Sequence, residues 1–257
     1  MAEKQEFWTE QRLKTGIYVL IAGIVIIIIA IAGWWYYLNR PEGSTPPVLQ
    51  RSITEAQAAI KKNPNDINAR LTLAQLYIQN KQYNDAIVEC KLVIKSSKNN
   101  EIAYSLMGIA EDLSGDKKTA ITYYKKTIDL GAKKEMSGLN AALIQARFRL
   151  GKIYLDQKNY DGALVQFQTL ADTNSMDADS RYYLGLTFYD MKQYDKSIEW
   201  LEQAVRYVPD YYEAFYKLGQ AYEKKGDKAK AIDAYKKALK AKPEYQEAKD
   251  ALARLEK

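Results

Sequence analysis

Hydrophobic and polar positions divide the chain into two unlike patterns. From Gly16 to Leu38 there is no alternation: GIYVLIAGIVIIIIAIAGWWYYL runs for 23 residues without a charge. As a helix this stretch would extend roughly 35 Å, against about 30 Å for the hydrocarbon core of a bilayer. Trp34, Trp35, Tyr36 and Tyr37 close it, and Trp8 and Tyr18 lie at its other end. Rings at both ends match the aromatic belts of membrane interfaces. The pattern predicts a transmembrane helix over 16–38, opening at Gly16, behind a polar tail over 1–15. Ala30-Ile31-Ala32 is also a small-x-small pattern of the kind signal peptidases cut. The run is long, however, aromatics follow the cut, and Lys4, Arg12 and Lys14 are balanced by Glu3, Glu6 and Glu10. An uncleaved anchor is therefore preferred.

Residues 39–48, NRPEGSTPPV, read as a Pro-rich stalk, because Pro41, Gly43, Pro46 and Pro47 oppose a continuous helix. Beyond it the pattern turns helical and repeats every 34 residues. Five copies are in register: 67–100, 101–134, 144–177, 178–211 and 212–245. Each has a large-small pair: Leu73-Ala74, Met107-Gly108, Leu150-Gly151, Leu184-Gly185 and Leu218-Gly219. An aromatic follows three residues later at Tyr77, Tyr154, Phe188 and Tyr222, with Glu111 in its place in the second copy. An alanine follows at Ala86, Ala120, Ala163 and Ala231, with Ser197 in the fourth. A second aromatic stands at Tyr124, Phe167 and Tyr235, replaced by Cys90 and Leu201 elsewhere.

Between the second and third copies lies an insertion, 135–143, EMSGLNAAL. It is predicted to lengthen the next helix backward, with a loop at Ser137-Gly138 as the alternative. Residues 49–66 read as the single helix of a partial repeat. Residues 246–257 read as a capping helix with Ala248, Leu252 and Leu255 on one face.

The five copies resemble the tetratricopeptide repeat family. That resemblance implies an α-solenoid of five antiparallel helix pairs, with a partial repeat before them and a cap after; following the predicted N-terminal transmembrane helix, it makes the expected chain all-α. In the fifth repeat the helices are expected over 212–224 and 228–241, broken by Gly226-Asp227, as Gly115-Asp116 breaks the second. The resemblance also implies that the first helix of each pair lines a concave groove that takes partner peptides. The residues placed there are Asn68, Leu71, Gln75 and Ile78; then Ile102, Ser105, Ile109 and Asp112; then Gln145, Phe148, Arg149, Lys152 and Asp156. The fourth repeat offers Asp179, Tyr182, Tyr183, Leu186 and Tyr189, and the fifth Glu213, Tyr216, Lys217 and Gln220.

The main partner-binding candidates are Gln75, Ile109, Phe148, Arg149, Lys152, Tyr182, Tyr183, Leu186, Tyr189, Tyr216, Lys217 and Gln220, since tyrosine with arginine or lysine is common hot-spot material. Packing between neighbouring helices is the alternative for Tyr182 and Tyr216, and Tyr77, Tyr154 and Tyr222 are assigned to the core. Some family members clamp a C-terminal carboxylate. Leu71, Gln75, Leu106, Gln145 and Arg149 hold the matching places, and only Arg149 suits that task.

Composition narrows the chemistry. There is no histidine, which removes histidine acid–base catalysis and histidine metal ligation. The single cysteine, Cys90, permits no internal disulfide and is read as a buried thiol. No Gly-rich phosphate loop occurs, and pairs such as Glu111-Asp112 read as solvated helix charges. No enzyme activity, cofactor, metal or small-molecule substrate is expected. Of 38 basic and 32 acidic residues, four of each lie in 1–44, so the net charge of +6 belongs to the rest, without a dense basic run. Nucleic acid is not an expected partner.

The expected function is a membrane-anchored scaffold that binds a peptide or protein near a membrane complex, in assembly, translocation or biogenesis. A permanent structural subunit of such a complex and a cytosol-facing import receptor are the alternatives. Three basic residues before the span (Lys4, Arg12, Lys14) against two after it (Arg40, Arg51) narrowly favour a cytoplasmic N-terminus. The expected location is a bacterial inner membrane, single-pass, with the repeats outside the cytoplasm and the bilayer as a further partner.

Overall fold

The computed structural model describes residues 46–133 and 140–256. The predicted span over 16–38, with Gly16, Trp34, Trp35, Tyr36 and Tyr37, lies outside the described residues. So do the tail, most of the stalk and most of the insertion. Among the described residues no helix is long and apolar enough to cross a membrane. The chain divides into two compact units, Met1–Gln50 and Arg51–Lys257, and the repeats make up the second.

The described residues form twelve helices and no strand. A first helix, α1, spans Pro47–Lys62. Five pairs follow: α2 Ile67–Gln79 with α3 Tyr83–Ser96, α4 Glu101–Ser114 with α5 Lys117–Gly131, α6 Ala141–Asp156 with α7 Tyr160–Thr173, α8 Ala178–Asp190 with α9 Tyr194–Tyr207, and α10 Tyr212–Lys225 with α11 Lys228–Ala241. A closing helix, α12, spans Gln246–Leu255. Pro47 and Val48, assigned to the stalk, instead open α1. A proline lacks only an N–H that the first turn leaves unpaired, and its fixed φ suits that position.

From α2 onward each helix packs on its sequence neighbours, and the first helices of successive repeats also touch one another. The core runs through the array as three clusters, around Met107 and Tyr124, around Phe167 and Leu184, and around Leu201 and Tyr235. No single pair could bury its apolar stripe; stacking buries it jointly.

Local chemistry sets where the helices begin. Asp66, Asn100, Asn140 and Asp177 accept the backbone N–H of Ala69, Ala103, Leu143 and Ser180, capping the first helices of four repeats. The cap at Asn140 starts α6 three residues before the predicted repeat boundary. That part of the insertion does extend the helix.

The turn inside each pair has a left-handed residue at one fixed place: Lys81, Gly115, Lys158, Lys192 and Gly226. Glycine adopts this backbone freely, whereas a side chain resists it. Lys192→Gly, at φ 61°, is therefore expected to raise stability by about 0.5–1 kcal/mol. Urea melts of the two proteins measure this, and a lower midpoint for the glycine variant would contradict it.

Candidate functional site

The first helices form one face of the array, and an open cavity of about 1130 Å³ lies along it. Its floor is aliphatic, with Leu71 on α2, Ile102 and Leu106 on α4, and Ile144 on α6. Gln75, Asn140 and Gln145 supply amides at its walls, and Glu101, Asp177 and Asp179 supply carboxylates. Phe148 also lines it.

Register explains why the cavity is here. One position of the first helix holds Leu71, Ser105, Phe148, Tyr182 and Tyr216 in the five repeats. Rings occupy it in the last three. Phe148 lies 5.1 Å from the Tyr183 ring, Tyr182 lies 5.0 Å from Tyr211, and Tyr216 lies 5.2 Å from Tyr245. Ser105 puts a hydroxyl where those repeats put a ring. The extra turn of α6 then adds Ala141 and Ala142 to the wall.

The predicted candidates separate into groups. Gln75 and Phe148 line the cavity. Lys152, Tyr182 and Tyr183 form a second cluster beside it. Tyr183 stacks on Phe167 at 5.0 Å, and the Lys152 ammonium lies 5.5 Å from the Tyr183 ring and 6.0 Å from Phe148. A third group joins Tyr189 to Lys217, whose ammonium sits 4.7 Å from the ring. Burial holds the Lys217 pKa below its ordinary value, partly countered by Asp190. In the same region Gln220 donates to the Tyr216 hydroxyl at 3.0 Å, and Leu186 is half-buried.

Two candidates take other roles. Ile109 is 5% exposed, belongs to the core around Tyr124 and does not line the cavity. Arg149 donates to Asp112 of the preceding repeat at 3.4 Å, and Asp112 also pairs with Lys117. Arg149 therefore joins two repeats and is not poised to clamp a carboxylate.

The rings of Tyr182 and Tyr216 pack at a tilt against those of Tyr211 and Tyr235, and burial raises the pKa of both. Their packing between helices follows from this. Tyr222 is buried and donates to Glu202 of the preceding repeat at 2.5 Å, whereas Tyr77 and Tyr154 are only half-buried.

Sequence reasoning missed Glu101, Asn140, Ile144 and Asp177 in the cavity wall. The signal for Asn140 and Asp177 was their place just before a helix, since cap residues lie beside the groove entrance. Cys90 is fully buried, and desolvation pushes its thiol up to about 12, which removes it as a nucleophile at neutral pH.

Profiles of the tetratricopeptide repeat match residues 148–206 and 184–246, and another matches 49–108. Together these cover more than half of the chain, on the residues that build the helix pairs. The chain belongs to the tetratricopeptide repeat family.

Solved structures agree with that fold. The chain is similar to YrrB, described as a TPR protein with an unusual peptide-binding site, at TM-score 0.62 and 19% identity, over 76% of this chain and 96% of that one. It is similar to the MamA protein at TM-score 0.59 and 26% identity, over 66% and 95%. A curated relative, anaphase-promoting complex subunit 3 of Schizosaccharomyces pombe, is 24% identical over 135 residues. That match takes in 52% of this chain and only 19% of the relative.

Proposed function

We propose that this chain is a membrane-anchored scaffold that holds a protein or peptide partner along its first-helix face. The cavity of about 1130 Å³ beside Ser105 carries the reading. It is large enough for several side chains, lined mainly by aliphatic groups and amides, and made of rigid helices. That suits recognition of a segment better than chemistry. The charge-free run over 16–38 supports anchoring in a bilayer. In this reading the anchor keeps the groove beside a membrane complex, with the repeats on the outer side of a bacterial inner membrane, where the scaffold serves assembly, translocation or biogenesis.

A photo-crosslinking residue in place of Gln75, exposed in the cavity wall, is expected to capture a partner in membranes from the source cell. The same residue in place of Val88, 54% exposed on the second-helix side, is expected to capture none of it. Ser105→Tyr restores the ring of the later repeats and is expected to cut capture at Gln75 at least tenfold. Equal capture from both positions, or capture indifferent to the tyrosine, would move the interface elsewhere.

A further inference from the structure

The cavity wall has a polarity of its own. Three of its lining residues are acidic, Glu101, Asp177 and Asp179, and none is lysine or arginine. The chain as a whole is basic, at +6, so an all-acidic lining runs against its average. The nearby cations are engaged elsewhere: Arg149 with Asp112, Lys152 beside the rings of Phe148 and Tyr183, and Arg181, which lies next to Asp177, with the backbone carbonyls of Ala171, Asn174 and Asp177.

A second observation is independent of charge. Ser105 lines the cavity, is 2% exposed, and its Oγ has no hydrogen-bond partner. A buried hydroxyl without a partner is costly, and a ligand polar group can satisfy it.

We propose, building on the groove reading above, that the cavity takes a partner segment carrying a lysine or arginine between aliphatic residues. The aliphatic side chains would lie on Ile102, Leu106 and Ile144. The cation would face Asp177 and Asp179, and rotation about the Ser105 Cα–Cβ bond would turn its hydroxyl, now buried, toward a backbone amide or carbonyl of the segment. This is the opposite of a carboxylate clamp, which needs cations where this chain has Leu71, Gln75, Leu106 and Gln145.

The test keeps the fold and removes the charge. Asparagine caps a helix as well as aspartate does, so Asp177→Asn keeps its bond to the Ser180 N–H. Asp179→Asn keeps an acceptor for the Tyr211 hydroxyl, now 2.9 Å away. Combined with Glu101→Gln, these give an amide-lined cavity of the same shape.

The probes are two short capped peptides, one alternating leucine with lysine and one alternating leucine with glutamate, titrated by fluorescence anisotropy into the full-length chain. The lysine peptide is expected to bind and the glutamate peptide to fail. Salt is expected to weaken binding, and the amide variant to lose about tenfold or more in affinity. Ser105→Tyr is expected to abolish binding to the chain with or without the amides.

Two outcomes overturn the proposal in different ways. If Ser105→Tyr blocks the lysine peptide but the amide variant binds it unchanged, the groove stands and the charge preference falls. If neither change affects it, or if the glutamate peptide binds as well, the cavity is not the site of a cationic segment. Stronger binding after deletion of residues 1–15, which carry Lys4, Arg12 and Lys14, would give the cavity to this chain's own tail and reject an external partner.

Discussion

Arg181→Ala is expected to lower the unfolding free energy by about 2–4 kcal/mol. This arginine is 7% exposed, and its hydrogen-bond partners are backbone carbonyls. Nη1 donates to the carbonyls of Asp177 at 2.8 Å and Asn174 at 3.3 Å, and Nη2 to that of Ala171 at 3.5 Å. Ala171 and Asn174 belong to the end of α7, where the last carbonyls of a helix lack partners and a cation is favoured. The guanidinium also lies 4.9 Å from the Tyr207 ring.

Alanine would strip all of this from the junction of the third and fourth repeats. Lysine is expected to restore only part of it, because one ammonium cannot reproduce the planar fork. Salt is expected to change the loss little, since the group is buried. In an array whose units are held by nearest neighbours, damage at one junction should also loosen cooperativity. Hydrogen exchange is expected to show α8 to α12 opening before α2 to α6. A variant with an unchanged urea midpoint and uniform exchange would rule this account out.

Gly219→Ala is expected to destabilise by about 1–2 kcal/mol, although alanine favours a helix by about 1 kcal/mol. A Cβ at this position would lie 2.6 Å from Tyr235 Cε1 and 2.8 Å from Cδ1. The ring cannot swing away, because it is fully buried and its hydroxyl donates to Glu223. The first repeat shows the solution for a larger residue. There Ala74 stands at the glycine position, and Cys90 stands where the other repeats have Tyr124, Phe167, Leu201 and Tyr235.

Tyr235→Cys alone is expected to cost about 3–5 kcal/mol through the cavity it leaves. In that background Gly219→Ala should become neutral or stabilising. The double-mutant cycle then gives a coupling of about 1–3 kcal/mol. Additive effects would mean that Tyr235 does not set the glycine requirement.

Much of the repeat architecture is legible in the sequence. Gly219, Tyr235 and their counterparts recur because two helices cross closely at each pair. That constraint acts within one repeat, so it leaves a period in the sequence. Helix α11 begins and ends where its turn signals place it, at Lys228 and Ala241. The glycine turns at Gly115 and Gly226 were equally plain.

Lys81, Lys158 and Lys192 adopt the same left-handed backbone without any residue signal for it, because the helices on either side impose it. The Ser197 departure from alanine is tolerated because its hydroxyl donates to the Gly185 carbonyl at 2.8 Å.

The site was less legible. Ile109 and Phe148 both follow the helical period, and only packing distinguishes core from wall. The cavity depends on one small residue, Ser105, set against rings in other repeats, and on the start of α6. Neither relation is periodic, so neither shows as a motif.

Packing from α2 onward between successive helices has a consequence for synthesis. Contacts there run between neighbouring helices or between first helices one repeat apart, so the loops to be closed stay short. The first pair can form as soon as α3 is free to pack, and each later pair can add to a finished edge. The cavity would mature in the same order. Its floor would appear with α4 and its far wall with α6, and its two aspartates would arrive only when α8 docks. A chain truncated after Asp156 would present the aliphatic floor without the aspartates that α8 contributes.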